Sequence, residues 1–138
     1  MSLPKPDGTV TRHKRVTTAA IRAVCEQLVN NISPIKVILF GSHANGTARK
    51  DSDLDLLIVI DSRNPLAAMK THDCYGQILR LLPHRGFGLD AFVLTDKEIQ
   101  KLIEENEGEW DLILEILNEG RVLYQQKAQR SRATTQKV

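Results

Sequence analysis

Residues 35–60 of this 138-residue chain read IKVILFGSHANGTARKDSDLDLLIVI, and the stretch predicts two short strands joined by a polar loop. Its first six residues are aliphatic or aromatic apart from one lysine and end at Gly41, which is typical of a short buried strand. In the second strand, residues 54–60, one face is apolar, whereas Asp53 and Asp55 stand at the start of the other face. The stretch therefore predicts a sheet with polar chemistry at one end.

Helical and strand patterns flank this stretch. Apolar residues recur at three- and four-residue steps over residues 12–31 and 109–119, and a long helix is predicted from an Asn64 N-cap to about Leu82. A third strand is expected over 87–94. A short edge strand is expected over 122–124, and a capping box at Thr95 and Glu98 opens a further helix. This order predicts an α/β (α+β) fold, with a small mixed sheet of three or four strands packed with helices.

Length and composition predict one soluble domain, because 41% of the residues are hydrophobic and 26% are charged. We expect a flexible segment over 1–11, the domain over 12–124, and a basic, disordered tail over 125–138. No apolar run approaches the roughly 18 residues that span a bilayer, and no signal peptide is evident, so a cytoplasmic protein without a membrane segment is expected. Cys25 and Cys74 are predicted to be buried thiols.

Charge is distributed unevenly along the chain. Residues 1–50 carry a net +6, residues 51–119 a net −9, and residues 120–138 a net +5. A basic end can hold RNA or a phosphorylated partner through phosphate contacts, or it can be a solvated terminus. The sequence leaves both interpretations open.

Three carboxylates are candidates for chemistry. Asp53 and Asp55 are two residues apart, so in an extended chain they share a face at roughly 6–7 Å. Like charges so placed repel unless a cation lies between them, and Mg²⁺ or Mn²⁺ suits such oxygen ligands. Asp90 interrupts an apolar strand, where an unpaired carboxylate is costly to bury. It either joins the other two or pairs with a basic side chain such as Arg85.

The loop after the first strand has features of a phosphate site. Gly41 and Ser42 follow an apolar strand directly, which allows close backbone approach and supplies a hydroxyl group and N–H groups. Gly41 and Gly46 have the GxxxxG spacing of a P-loop, but Thr47 and Ala48 stand where Lys and Ser or Thr are required. The sequence also lacks the GxGxxG pattern of dinucleotide-binding folds.

Taken in order, these elements resemble the nucleotidyltransferase superfamily, whose fold is shared with the catalytic domain of DNA polymerase β. The resemblance lies in Phe40-Gly41-Ser42, in Asp53-Leu54-Asp55-Leu56 after ten intervening residues, and in Leu89-Asp90-Ala91. Residues 41–60 are similar to the motif of the minimal nucleotidyltransferases, small bacterial and archaeal proteins that are often paired with HEPN-domain partners.

The resemblance implies transfer of a nucleoside monophosphate from a nucleotide, ATP being the family's commoner choice, to a hydroxyl group. It implies two Mg²⁺ ions, or Mn²⁺, as cofactors. The implied nucleotide-binding residues are Gly41, Ser42, Asn45 and Arg49, and the implied catalytic and metal-binding residues are Asp53, Asp55 and Asp90.

The chain departs from the family pattern at two positions, since Asn45 stands where Arg is frequent and His43 where another basic residue is frequent. Arg49 and Lys50 of the same loop can compensate for the lost positive charge, or they can be solvated loop residues. The resemblance also implies a hetero-oligomer with a HEPN-type protein, in which this chain is the antitoxin of a toxin–antitoxin pair. The acceptor hydroxyl then belongs to that partner or to RNA. The alternative is a binding-only, antitoxin-like subunit whose nucleotide site is weak or vestigial.

We expect the contact face for a partner on the last predicted helix, around Trp110, Ile113, Leu114 and Leu117. Plain packing of that helix on the sheet would give the same spacing of apolar residues.

Overall fold

The computed structural model describes residues 16–49, 52–82, 86–105 and 111–127. Within these ranges four strands form one mixed sheet: β1 (Lys36–Phe40), β2 (Leu54–Ile60), β3 (Leu89–Thr95) and β4 (Arg121–Gln125). The strand order is β3-β2-β1-β4. Strand β1 is antiparallel to both β2 and β4, whereas β2 and β3 are parallel. This mixed sheet confirms the fold class predicted from the sequence.

Helices pack on both faces of the sheet. They are α1 (Thr18–Ile32), α2 (Ser42–Asn45), α3 (Thr71–Arg80), α4 (Asp96–Glu105) and α5 (Leu112–Glu119), with a 3₁₀ turn at Pro65–Ala68. Side chains that accept backbone N–H groups mark several starts, as at the N-cap residues Thr17 of α1 and Asp111 of α5. Local sequence therefore determines where these helices begin.

The alternation of β2 divides the apolar interior in two. Its even-numbered residues 54–60 face a larger core beneath α1 and α3, together with Val37 and Leu39 of β1. Its odd-numbered residues Leu57 and Val59 face a smaller core beneath α5. Asp55 belongs to this second face by the same alternation. The second face is therefore covered by helix at one end and carries the carboxylate at the other.

The last helix uses its apolar stripe for packing. Ile116 is buried in the smaller core, and Ile113 and Leu117 pack against it. Trp110, which the sequence placed on a partner-binding face, lies outside the described residues. The packing of Ile113 and Leu117 agrees with the alternative interpretation, in which the apolar stripe packs α5 on the sheet.

Several boundaries differ from the sequence prediction. The long helix predicted from Asn64 is interrupted, because Met69 and Lys70 adopt extended backbone between the 3₁₀ turn and α3. The spacing of apolar residues over 64–82 indicated which side of this segment is buried, but it did not indicate that the helix is broken. The short helix α2 was predicted as loop, and β3 begins at Leu89, two residues later than expected. The first helix begins at Thr18, and residues 12–15 of its predicted extent lie outside the described residues.

Both cysteines are buried free thiols, as the sequence predicted, and burial raises the pKa of each. A raised pKa keeps the thiol protonated and therefore unreactive. In the described part of the chain, no helix is long and apolar enough to cross a membrane.

Replacing Thr95 by alanine should lower the free energy of unfolding by about 1 kcal/mol. Its hydroxyl accepts the N–H of Glu98 at 3.0 Å, and the Glu98 carboxylate accepts the N–H of Thr95 at 2.8 Å. The predicted capping box is therefore formed, and alanine breaks one of its two bonds. Urea denaturation measures the change, with Thr18→Ala as the control because that exposed threonine is no cap. Equal losses in both variants would contradict the capping role.

Candidate active site

The three predicted carboxylates lie at one edge of the sheet, where β1 ends and where β2 and β3 begin. Antiparallel pairing places Phe40, the last residue of β1, opposite Asp55. Parallel pairing places Asp55 opposite Asp90. Asp53 precedes β2 by one residue. The register thus brings together side chains that are 37 residues apart in sequence at their widest.

Gly41 turns the chain directly beside Asp55. Its backbone φ of 77° and ψ of −158° are accessible to glycine but strained for other residues. A Cβ atom at this position would overlap the Asp55 carboxylate, so the backbone of the turn is in contact with the acid. The loop and the carboxylates therefore form one continuous site.

Ser42 presents unused donors at this turn. Its hydroxyl and backbone N–H groups make no hydrogen bond within the described ranges, whereas the N–H groups of Ala44 and Asn45 donate to the Gly41 carbonyl oxygen. Free N–H and O–H groups beside a glycine turn are donors of the kind that phosphate oxygens accept. The phosphate role of residues 41–42 stays a prediction.

The carboxyl group of Asp55 has a raised pKa. The pKa of this half-buried acid is raised from 3.8 to about 6, chiefly by burial and next by the negative charges of Asp90 and Asp53. A hydrogen bond between the Asp55 and Asp90 side chains also raises the pKa, whereas His43 lowers it. These contributions show that all four side chains share one electrostatic environment.

Asp53 is held against the start of β3. The N–H of Leu54 donates to the carbonyl oxygen of Gly88 at 2.9 Å. A Cβ atom at Gly88 would overlap the Asp53 carboxylate. The absence of a side chain at Gly88 therefore makes room for Asp53. Asp53 and Asp90 are themselves exposed, so both remain accessible to a ligand.

Two predicted nucleotide-binding residues lie on the outer part of the loop. Asn45 is exposed, and its side-chain oxygen accepts from the backbone N–H and the hydroxyl group of Thr47, at 3.1 and 2.6 Å. The side chain of Arg49 is exposed, and its backbone N–H donates to the Ser52 hydroxyl at 2.8 Å. In the described ranges neither side chain contacts the carboxylates. Their role in nucleotide binding stays a prediction.

His43 connects the two halves of the site. Its Nε2 atom lies 3.2 Å from the carbonyl oxygen of Ser52, the residue before Asp53. A protonated Nε2 donates this bond and thereby ties α2 to the approach of β2. The sequence singled out His43 only as a departure from the family pattern, since no spacing reveals a bond to a carbonyl group nine residues later.

We expect His43→Ala to lower kcat by about tenfold through loss of loop positioning. His43→Gln can still donate to Ser52 and should recover most of the activity. Steady-state kinetics of the transfer that the sequence implies, with an α-labelled nucleotide, measures both variants. His72→Ala is the control because that histidine is exposed on α3. If the glutamine variant is as slow as the alanine variant, the positioning role is wrong.

The donor set fits a magnesium ion by its chemistry. In the portions that the structure describes, no three His, Cys, Asp or Glu side chains form a ready set of ligands for one metal ion. Mg²⁺, however, usually takes one or two protein carboxylates and completes its shell with water and substrate phosphates. Asp53 and Asp55 supply two such carboxylates, and the exposed position of Asp53 leaves room for water and phosphate ligands.

Two phenylalanine rings stack on each other near Asp55. The rings of Phe40 and Phe92 are stacked, with centroids 5.8 Å apart and planes inclined by 12°. Their residues flank β2 in register with Asp55 and Leu57. Phe40 also packs against the smaller core. Sequence alternation alone did not indicate that the two rings meet.

Comparison with known protein families matches residues 19–132 to the model described as nucleotidyltransferase domain. The chain belongs to this family. A protein of Methanocaldococcus jannaschii named "putative protein adenylyltransferase" is 34% identical over 89 residues, which are 64% of this chain and 77% of that protein. The nucleotidyltransferase identity predicted from the Gly-Ser and Asp-Leu-Asp motifs is thereby confirmed.

Among solved structures, a crystal structure described as a "putative nucleotidyltransferase" from Sulfolobus solfataricus is similar to the chain. The TM-score is 0.46 at 23% identity, and the match covers 60% of this chain and 70% of that one.

Proposed function

We propose that this nucleotidyltransferase transfers AMP from ATP to a hydroxyl group of a partner protein. One observation carries the proposal: the Gly41–Ser42 turn contacts Asp55, and Asp55 is paired with Asp90 on the neighbouring strand. The similarity to an archaeal protein whose name includes protein adenylyltransferase supports the choice of nucleotide and acceptor.

The order of elements across the sheet suits in-line displacement at the α-phosphorus. The Gly41–Ser42 turn lies on the β1 side of Asp55, and Asp90 lies on the β3 side. With the β- and γ-phosphates at the turn, the acceptor hydroxyl approaches from the β3 side, opposite the leaving pyrophosphate. The Asp90 carboxylate takes the hydroxyl proton, the oxygen–phosphorus bond forms, and the bond to the β-phosphate oxygen breaks.

Magnesium is proposed as the cofactor, held by Asp53 and Asp55 with Asp90 beside them. When bound, it neutralises negative charge on the phosphate oxygens. Isothermal titration with Mg²⁺ tests this independently of activity. Binding should be lost in Asp53→Asn/Asp55→Asn and kept in Asp61→Asn, because Asp61 lies at the far end of β2 and pairs with Arg63.

The resemblance to minimal nucleotidyltransferases leads us to propose a HEPN-type toxin as the acceptor, with this chain as its antitoxin. RNA is the other acceptor class. A binding-only antitoxin remains the second candidate because Asn45 replaces a frequent arginine and its amide oxygen is engaged with Thr47.

Label transfer distinguishes these candidates. Purified protein, Mg²⁺ and host lysate are incubated with α-labelled or γ-labelled ATP, and the same reactions are run with the Asp53→Ala/Asp55→Ala variant. We expect α-label, but not γ-label, to appear on a protein band in the native reaction alone. A labelled RNA band would contradict the protein acceptor, and γ-label on the band would indicate phosphorylation. No label from either form of ATP would favour the binding-only subunit.

A further inference from the structure

A cleft of about 460 Å³ lies between α1 and the edge strand β4, away from the carboxylates. One wall is the face of α1 that carries Ile21, Cys25 and Val29 at four-residue steps. The other wall includes Val122, which is 48% exposed, and Tyr124. An exposed aliphatic side chain beside an apolar cleft marks a surface on which a further apolar group can be buried.

Two arginines flank the cleft. Arg22 of α1 and Arg121 of β4 both line it, both are exposed, and neither makes an ion pair within the described ranges. Among the lining residues that the structure describes, Glu26 is the one carboxylate, and it lies close enough to Cys25 to raise the pKa of that thiol. The lining thus has a net positive charge, which selects for an acidic occupant.

The composition of the chain's own ends does not favour either end as that occupant. Residues 1–15 contain four Lys or Arg and one Asp, and residues 128–138 contain three Lys or Arg and no acidic residue. Either segment would bring positive charge to Arg22 and Arg121. Charge complementarity therefore favours a separate molecule.

We propose that this cleft binds an acidic amphipathic helix of a partner protein. The wall on α1 runs from Thr18 to Asn30, a length of about 18 Å, which corresponds to a helix of about 12 residues. A helix laid beside α1 over β4 would place aliphatic side chains at i, i+3, i+4 and i+7 against Val122 and Tyr124. Carboxylates on either side of that stripe would meet the two arginines. Binding at this surface needs no nucleotide.

Fluorescence anisotropy with two synthetic helices tests the proposal on the full-length chain without nucleotide. Both probes are labelled 15-residue peptides with a leucine stripe at helical spacing, and they differ only in the flanking positions, which are glutamate in one and lysine in the other. We expect the glutamate probe to bind about tenfold more tightly than the lysine probe. Arg22→Glu/Arg121→Glu should reverse this preference.

Control variants distinguish binding at the cleft from a general effect of the protein's net charge. Arg80→Glu/Lys97→Glu makes the same change in net charge on α3 and α4 and should leave binding unchanged. Val122→Ser should weaken binding of the glutamate probe without altering the melting temperature, because that side chain is half exposed.

Three outcomes overturn the proposal. The first is that the two probes bind equally or that neither binds. The second is that Arg80→Glu/Lys97→Glu changes binding as much as Arg22→Glu/Arg121→Glu does. The third is a dimer of this chain that dissociates on Arg22→Glu/Arg121→Glu. Light scattering after gel filtration detects the last outcome, which would make a second copy the occupant. Since no nucleotide is present, these results are independent of the label-transfer experiment.

Discussion

We expect Asp55→Asn to reduce nucleotidyl transfer by at least about a thousandfold, because in the proposed mechanism the lost charge both holds Mg²⁺ and orients the phosphate. Asparagine keeps the size of the side chain and can still hydrogen-bond to Asp90. The loss therefore reports charge rather than packing. Single-turnover transfer of α-labelled nucleotide measures it. Asp61→Asn is the matched control, since it removes a carboxylate from the far end of the same strand region and should leave transfer unchanged.

The same substitution should stabilise the metal-free protein. The pKa of Asp55 is raised from 3.8 to about 6, so its charged form opposes folding. As pH rises between those two values, the unfolded chain has already lost the proton that the native state still holds, and stability falls. Allowing for the partial exposure of Asp55, Asp55→Asn should gain about 1 kcal/mol at pH 7.

Denaturation in EDTA at pH 7 and at pH 4 tests this sign. The gain should be present at pH 7 and mostly absent at pH 4, where the native carboxyl group is protonated. A variant that is less stable than the native chain at pH 7 would show that the Asp55 charge does not oppose folding. Loss of transfer together with a gain of stability would identify Asp55 as a residue kept for function.

The sequence predicted the carboxylate site because its evidence was local. Asp53 and Asp55 share a face by alternation, and Asp90 interrupts an apolar strand. The fold class also followed from the order of elements. Prediction of the convergence itself depended on resemblance, because strand register between β2 and β3 is determined by packing over the whole face rather than by any residue near Asp90.

Other features lacked a signal in the sequence. The break at Met69 and Lys70 was hidden because apolar spacing reports which side is buried, not whether the backbone stays helical. The contact of Gly88 with Asp53 and the bond from His43 to Ser52 join segments whose proximity only the folded chain creates. These are interactions of one side chain with a distant backbone, which leave no periodic pattern.

The second large effect is expected at Gly41. Gly41→Ala should reduce transfer by at least about a hundredfold, because it would displace the Asp55 carboxylate from the position in which it orients the phosphate. The new Cβ would overlap the Asp55 carboxylate, and the backbone angles of the turn are strained for alanine. A strained conformation of this kind costs about 1–3 kcal/mol, so the melting temperature should also fall.

Gly46→Ala separates the two contributions of the Gly41 substitution. Gly46 ends α2 with a φ of 82°, so alanine there is also strained, but no atom lies within 4 Å of its Cβ position. We expect this variant to lose stability while keeping transfer within a few-fold of the native rate. If Gly46→Ala and Gly41→Ala lose transfer equally, the effect arises from backbone strain in the loop. If only Gly41→Ala is inactive, contact between the turn and Asp55 is the feature that catalysis requires.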